Sequence, residues 1–591
     1  MADRSRSVLD APNLTYLWTQ LLVEELVRNG VETFFIAPGS RSTPLTVAAA
    51  RHPGAETVLH LDERGNAFAA LGCGRVTQTP AAWITTSGTA VANGLPAVVE
   101  ASVDGVPLLL LTADRPPELR DTGANQTIDQ VKIFGDYVRW QADVPPPSGE
   151  IDPAYVLTTA DQALHRTRRP PAGPVHLNCM FRKPLEPVES EPSISVPAAV
   201  EEWAAGAEPY TQYTTPVPTP SGPEVETLAE TLGGTGKGLV VAGRLDSAAA
   251  ADATRRLATR LGWPLVPDLT SRLRLGAENR PGQVPYGDLV LTSEAFRDAH
   301  SPEAVLQVGG RFASKRLRLF LRDCAPDAWA VVRPDPSRID PDHRITHHVE
   351  ANVPAFADAL IARLDEGPGT TDWQQAWTTA SERAGTVVQR HADAADTLTE
   401  PLVATVLSDA MPSSHALVAA SSMPVRDLNR HAAPNGSGGP AYANRGASGI
   451  DGTVATAAGV AEGRDGPVTL LIGDLALWHD LNGLALLQDR QVIAVVVNND
   501  GGGIFHFLPI RDYDDFDPYF TTPHGRTFED AAATFDLPYH RPETPAGFRT
   551  TYDEACRSKG SALIEIQTDR AANRQVHDRL EAAVESAVEE K

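Results

Sequence analysis

Apolar runs of three to six residues recur along this chain and alternate with longer stretches of helical periodicity. The first group falls at 33–37, 57–59, 82–86, 107–112 and 174–178, and residues 14–29 read as an amphipathic helix ending at Gly30. A second group lies at 238–242, 264–267, 304–308 and 329–333, and a third at 416–420, 468–472, 492–497 and 562–567. Short, almost continuously apolar strands separated by helices imply parallel sheets covered on both faces. The expected fold class is α/β, with three doubly wound parallel-sheet domains at residues 1–187, 223–366 and 395–577. Between the first two lies a Pro-rich linker, 188–222, and an acidic Gly/Pro run at 365–369 marks the second join. The acidic tail, 578–591, is expected to be a solvated helix.

Charge narrows the possible partners. The 591 residues include 51 Lys plus Arg against 76 Asp plus Glu, a net charge of −25. Such acidity argues against a nucleic-acid surface and against an anionic membrane face, because both need clustered cations. Only six of the basic residues are lysines, and scarce Lys with excess carboxylate reads as adaptation to concentrated salt. Four scattered cysteines suggest neither a disulfide framework nor a zinc cluster, and no apolar run reaches membrane-span length. Residues Met1–Arg6 lead into no apolar signal core. A soluble cytoplasmic protein is the expectation.

The most informative chemistry follows two strands of the third group. The run at 468–472 leads into Gly473-Asp474-Leu475, with a helix expected near Asp480, and the run at 492–497 leads into Asn498-Asn499-Asp500-Gly501-Gly502. Ligands of open parallel sheets bind at the carboxyl ends of strands, so Asp474 and Asn499 are placed to converge on one cation. A carboxylate, an amide oxygen and a backbone carbonyl are hard donors suited to Mg²⁺. Taken alone, the same residues also fit ordinary turn chemistry. In the first domain, His60-Leu61-Asp62-Glu63-Arg64-Gly65 opens a helix after a strand; its acids are either a helix-start complement to the dipole or a proton donor.

Gly-Asp followed some two dozen residues later by Asn-Asn resembles the thiamine diphosphate-binding motif. Leu475 stands where many members carry Gly, and the spacing is slightly short. Further motifs are Pro38-Gly39-Ser40-Arg41-Ser42-Thr43-Pro44-Leu45, Ala113-Asp114-Arg115-Pro116, Gly123-Ala124-Asn125-Gln126-Thr127, Ser314-Lys315-Arg316, Ser421-Ser422-Met423-Pro424-Val425-Arg426, Asn444-Arg445-Gly446-Ala447-Ser448-Gly449 and Gly503-Ile504-Phe505. Together they resemble the 2-succinyl-5-enolpyruvyl-6-hydroxy-3-cyclohexene-1-carboxylate synthases, thiamine diphosphate enzymes of menaquinone biosynthesis.

That resemblance implies the thiamine diphosphate-binding fold type, with a pyrimidine-binding first domain and a diphosphate-binding third. It implies decarboxylation of 2-oxoglutarate and 1,4-addition of the four-carbon unit to isochorismate. Asp474, Asn499 and Gly501 would hold Mg²⁺, or Mn²⁺; Glu63 would activate the cofactor; Ser422, Met423, Gly473, Leu475, Gly503, Ile504 and Phe505 would complete its site. Substrate contacts fall on Ser40, Arg41, Arg115, Asn125, Gln126, Lys315, Arg316, Ser422, Arg426, Arg445, Ile504, Phe505 and Leu508, with Arg41, Gln126, Arg426 and Arg445 counted with Glu63 as catalytic. Both substrates are dicarboxylates, and bidentate Arg forks suit carboxylates. The assembly implied is a homodimer or homotetramer. Another thiamine diphosphate-dependent 2-oxo acid decarboxylase or an acetohydroxyacid synthase remains the alternative.

Other signals fail. Gly233–Gly238 lacks the P-loop spacing and reads as a turn, and no strand is followed by G-x-G-x-x-G with a downstream acid, which counts against a dinucleotide-dependent oxidoreductase. The sixteen histidines include no H-E-x-x-H pair, and His347-His348 reads as exposed loop.

Overall fold

The computed structural model describes the whole chain except residues 1–6, 190–195, 277–280, 366, 368, 435–438 and 591. The chain start, six residues near the start of the Pro-rich stretch, part of the acidic join and the last residue therefore lie outside the described residues. Three parallel sheets of six, five and six strands are present.

The first holds β1 (Thr33–Ile36), β2 (Glu56–Leu59), β3 (Ala81–Thr85), β4 (Leu108–Asp114), β5 (Trp140–Val144) and β6 (Pro174–Met180), in the order β2-β1-β3-β4-β6-β5. The second holds β7 (Gly238–Ala242), β8 (Leu265–Pro267), β9 (Ala304–Val308), β10 (Ala328–Arg333) and β11 (His347–Glu350), ordered β11-β10-β9-β7-β8. The third holds β12 (Ala416–Ala419), β13 (Ala441–Tyr442), β14 (Val468–Gly473), β15 (Val492–Asn498), β16 (Tyr539–His540) and β17 (Ala562–Gln567), ordered β13-β12-β14-β15-β17-β16.

Alternation along the strands shows why each sheet is covered twice. In the second, Val240, Leu306, Val308, Ala330 and Val332 join one core, while Leu239, Val241, Val305, Trp329 and Val331 join another. Successive side chains point to opposite faces, so a strand apolar at every position needs helices on both sides. The α/β expectation of three doubly wound sheets holds.

The chain divides into two compact units. One comprises Met1–Pro216, Asn444–Asp465 and Asp480–Arg490; the other comprises Val217–Ala443, Gly466–His479 and Gln491–Lys591. In the first unit the helices Glu63–Thr77 and Thr453–Arg464 pack at backbone distance. A Cβ on Gly72 would lie 2.3 Å from the Thr456 carbonyl oxygen, and one on Gly459 would lie 1.9 Å from that of Ala69. Only glycine permits such an approach.

Several expectations are corrected. Part of the Pro-rich stretch is a helix, Ala198–Ala205, whose Val200 and Trp203 pack with Leu17, Leu21 and Leu157. Trp203 Nε1 donates to Glu25 Oε2 at 2.7 Å, and the Thr211 amide donates to Asp161 Oδ2 at 2.8 Å. Two apolar residues three apart form a helix face that the surrounding prolines mask. The acidic tail continues a helix, Arg570–Glu589, with Val576, Leu580 and Val584 buried; their i, i+4, i+8 spacing makes one stripe. His347 and His348 lie on the edge strand β11, paired with Ala330 and Val331. The helix after β14 begins at Asp474, six residues before the expected start. Among the described residues, no helix is long and apolar enough to cross a membrane.

Candidate active site

In the third sheet β14 and β15 are neighbours in register, with Gly473 opposite Val497, so the loops leaving their carboxyl ends meet. Asp474 is 2% exposed; its Oδ1 accepts from the Leu475 amide at 2.7 Å and its Oδ2 from the Gly501 amide at 2.8 Å. His524 Nε2 lies 3.1 Å from the same Oδ2. Asn499 Nδ2 donates to Glu400 Oε1 at 2.8 Å, which fixes the amide so that Oδ1 is the atom left over. That Oδ1 is buried with no hydrogen-bond partner. A buried acceptor without a donor is costly in protein alone, and the loop that carries it is tied to the buried Asp474 carboxylate through the Gly501 amide. Gly501 has φ +130°, and a Cβ there would lie 1.8 Å from the Thr521 carbonyl oxygen. The donors Asp474, Asn499 Oδ1 and the Gly501 carbonyl therefore fit a hard cation. Burial pushes the Asp474 carboxyl above its ordinary range, and a divalent cation favours the ionised form again.

Two supporting residues carried no sequence signal. Glu400 follows the capping Thr399 and reads locally as a dipole complement. Burial, with Asp427 nearby, pushes its carboxyl up to about 8. Arg570 Nη1 donates to the Asn499 carbonyl at 3.0 Å and also to that of Asp500, across 70 residues of sequence.

The cofactor-contact expectations of this unit flank the cation donors in sequence. Ser422 has φ +71°, in the left-handed region, and caps the helix Met423–His431. Its carbonyl accepts from Arg426 Nη1, and Met423 is buried. Gly503-Ile504-Phe505 opens a 3₁₀ turn, with Phe505 edge-on to Phe520 at 5.4 Å; Leu508, just past it, is exposed. Lys315 and Arg316 begin the helix Lys315–Cys324 and line a cavity of about 570 Å³ with Arg297 and Arg430. Arg316 is already paired, 2.8 Å from both Asp288 and Glu581.

The first unit gathers cations and amides. Ser40 and Arg41 follow β1, Ser87 follows β3 and Arg115 follows β4, three neighbouring strands. Arg41 is 7% exposed; Nη1 donates to the Phe181 carbonyl at 2.7 Å, while Nε is buried without a partner. Burial, with Arg115 beside it, lowers the Arg41 pKa. Arg115 Nη1 donates to Ser87 Oγ, and Gln126, at φ +54°, donates through Nε2 to the Ser87 carbonyl at 2.9 Å. Asn125 and Gln126 are exposed. Ser87 and Gln130, which accepts from the Gly88 amide at 2.9 Å, were not expected from sequence.

Glu63 is the first residue of its helix, behind Asp62, which caps through Oδ1. It is half-buried, and its Oε2 accepts from Asn93 Nδ2 at 3.1 Å. The loop bearing Arg445 is shaped by a residue that sequence reading missed. Glu100, 2% exposed, accepts from the amides of Gly446 at 2.8 Å and Ala447 at 2.7 Å, and from Arg75 at 3.3 Å. Its local sequence, within an apolar helix, offers no clue to a partner 346 residues away.

Comparison with known proteins agrees with this fold. Residues 18–133 match the thiamine pyrophosphate enzyme N-terminal TPP binding domain, 195–418 the middle domain and 414–566 the C-terminal TPP binding domain. An X-ray structure from Mycobacterium smegmatis, assigned to a thiamin diphosphate-dependent enzyme, is similar at a TM-score of 0.70 and 19% identity. It covers 94% of this chain and 99% of that one, and supports the fold alone. The chain is 80% identical over 590 residues to the 2-succinyl-5-enolpyruvyl-6-hydroxy-3-cyclohexene-1-carboxylate synthase of Salinibacter ruber, covering 100% of both. It is 53% identical to the synthase of that name from Rubrobacter xylanophilus, covering 96% of this chain and 98% of the relative. The chain belongs to the family of 2-succinyl-5-enolpyruvyl-6-hydroxy-3-cyclohexene-1-carboxylate synthases.

Proposed function

We propose that this enzyme decarboxylates 2-oxoglutarate and adds the four-carbon unit in a 1,4 sense to isochorismate, releasing CO₂, as a step of menaquinone biosynthesis. The observation that carries the reading is the buried, unpartnered Asn499 Oδ1 beside Asp474 at the carboxyl ends of β15 and β14. Bound thiamine diphosphate supplies an electron sink for the decarboxylation. Asp474, Asn499 and the Gly501 carbonyl would hold its Mg²⁺, with Mn²⁺ acceptable to the same oxygen donors. Ser422, Met423, Gly473, Leu475, Gly503, Ile504 and Phe505 would hold the cofactor. Glu63 would hydrogen-bond the cofactor's pyrimidine nitrogen and activate it.

Substrate carboxylates fall to the arginines. Arg41, with its unpartnered Nε, and Arg115 form a buried cationic pair that suits a dicarboxylate. Ser40, Asn125 and Gln126 add neutral donors, Arg426, Arg445, Lys315 and Arg316 add further cations, and Phe505 and Leu508 form an apolar wall. The working assembly is a homodimer or homotetramer. Isochorismate consumption with 2-oxoglutarate, thiamine diphosphate and Mg²⁺ is the expected activity. Turnover of pyruvate alone, with isochorismate untouched, would overturn the assignment.

A further inference from the structure

The helix Met423–His431 follows Ser422 and carries Arg426 on its first turns. Its buried face holds Asp427 and His431, one turn apart at i and i+4. Against it lies His577, from the middle of the helix Arg570–Glu589. The three side chains are 2%, 0% and 1% exposed. One ligand atom from each falls within 4.8 Å of the others, and the two imidazole rings are 5.2 Å apart, inclined at 65°.

The polar atoms here are not satisfied by protein. His577 Nε2 lies 3.3 Å from Asp427 Oδ1, yet neither atom has a partner in hydrogen-bond geometry. All four ring nitrogens of the two histidines are buried and unpartnered. Asn573, one turn before His577, is also buried with both amide atoms unpartnered. Groups at hydrogen-bond distance without hydrogen-bond direction are arranged as ligands around a common point are. A tetrahedral ion with bonds of about 2.0–2.1 Å has ligand-to-ligand edges of roughly 3.3 Å, the separation seen between His577 and Asp427.

We propose that Asp427, His431 and His577 bind one divalent transition-metal ion, Zn²⁺ by preference, at a site sharing no ligand with that of Asp474, Asn499 and Gly501. Two imidazole nitrogens with one carboxylate oxygen suit Zn²⁺ and its neighbours, whereas Mg²⁺ prefers oxygen donors throughout. Asn573 Oδ1 or a water completes the coordination. Metal binding needs neutral imidazoles.

The consequence is mechanical. The ion ties the helix bearing Arg426 to the helix whose first residue, Arg570, grips the Asn499 and Asp500 carbonyls. The site thus clamps two active-site elements through their hidden faces. Asp427, His431 and His577 are positioning residues in this role.

The test uses chelator-stripped, full-length enzyme dialysed against Co²⁺ with millimolar Mg²⁺ present. Expected are one tightly held Co²⁺ per chain with four- or five-coordinate visible bands, displacement by Zn²⁺, and a Tm several degrees higher than that of stripped enzyme. His577→Gln and His431→Gln should each weaken Co²⁺ retention by at least about 100-fold, with Asp474→Asn keeping the bands. The proposal is overturned by no stoichiometric uptake in the wild type, the result expected if the cluster holds no ion. Bands lost in Asp474→Asn but kept in His577→Gln would overturn it equally. Should the Gln variants not fold, X-ray absorption on the loaded wild type decides: two imidazole ligands support the site, and an all-oxygen shell refutes it.

Discussion

In the first sheet, the segments after β1, β3 and β4 carry Arg41, Ser87 and Arg115, two buried guanidiniums and a hydroxyl. In the third, the segments after β12, β14 and β15 carry Ser422, Asp474 and Asn499, oxygen donors with a buried carboxylate at their centre. Both sheets have the same strand order, counted from the first strand of each: 2-1-3-4-6-5. The crevice created where that order reverses is a property of the topology. In the proposed function, what it binds is set by a few loop residues: one sheet end would recruit anions, the other a cation. One architecture thus presents opposite charges at equivalent sheet ends, because the backbone supplies the cleft and the side chains supply the sign.

The sharpest way to break this comparison is to remove the negative centre. Asp474→Ala should abolish Mg²⁺-dependent cofactor binding and lower turnover by about 10²–10⁴-fold, reflecting several kcal/mol of lost metal stabilisation. Calorimetric titration of thiamine diphosphate with and without Mg²⁺ reads the effect; a variant still bound tightly in a Mg²⁺-dependent manner would move the cation elsewhere. Glu63→Gln should lower turnover by roughly 10²–10⁴-fold while leaving cofactor affinity nearly unchanged, because only proton transfer is removed. Full activity of that variant would refute its role.

On the anionic-substrate side, Arg41→Lys should raise KM for 2-oxoglutarate or isochorismate by about 10-fold or more, through loss of the fork geometry. Steady-state kinetics with each substrate varied would show which carboxylate it serves; unchanged constants for both would remove it from the site.

A pH effect separates fold from site. Burial pushes Asp480 up to about 7, above its ordinary value near 4. The folded state keeps this proton over a range where the unfolded state releases it, so its contribution is full below about pH 4 and is lost as pH rises through 7. Asp480→Asn should flatten that part of the stability profile, on the order of a few kcal/mol, in denaturant melts from pH 4 to 8. A profile unchanged by the substitution would contradict it. The smallest effect expected is from salt: dilution from molar KCl should lower Tm by about 2–4 °C if the charge of −25 reports a salty medium. A flat salt response would make the acidity incidental.

The strands were legible because apolar runs are a local signal: 238–242, 304–308 and 562–567 coincide with β7, β9 and β17. The edge strands β5, β11, β13 and β16 were missed, since edges are short and half polar, as the single buried residue of His347–Glu350 shows. The neighbouring placement of Asp474 and Asn499 was legible because both sit at fixed offsets from two buried strands. Glu100, Glu400, His524 and Arg570 were not, as each acts on a loop far away in sequence.

The sequence by itself determined the alternation of strand and helix, the strand ends that carry Asp474 and Asn499, and the family, because these depend on short-range pattern and motif spacing. Tertiary structure alone decided that part of the Pro-rich stretch packs on the first unit, that the acidic tail buries a stripe, and that Asn499 keeps one amide oxygen unpaired. It also brought Asp427, His431 and His577 together across 150 residues. Burial and long-range pairing are properties of packing between distant segments, and no local pattern encodes them.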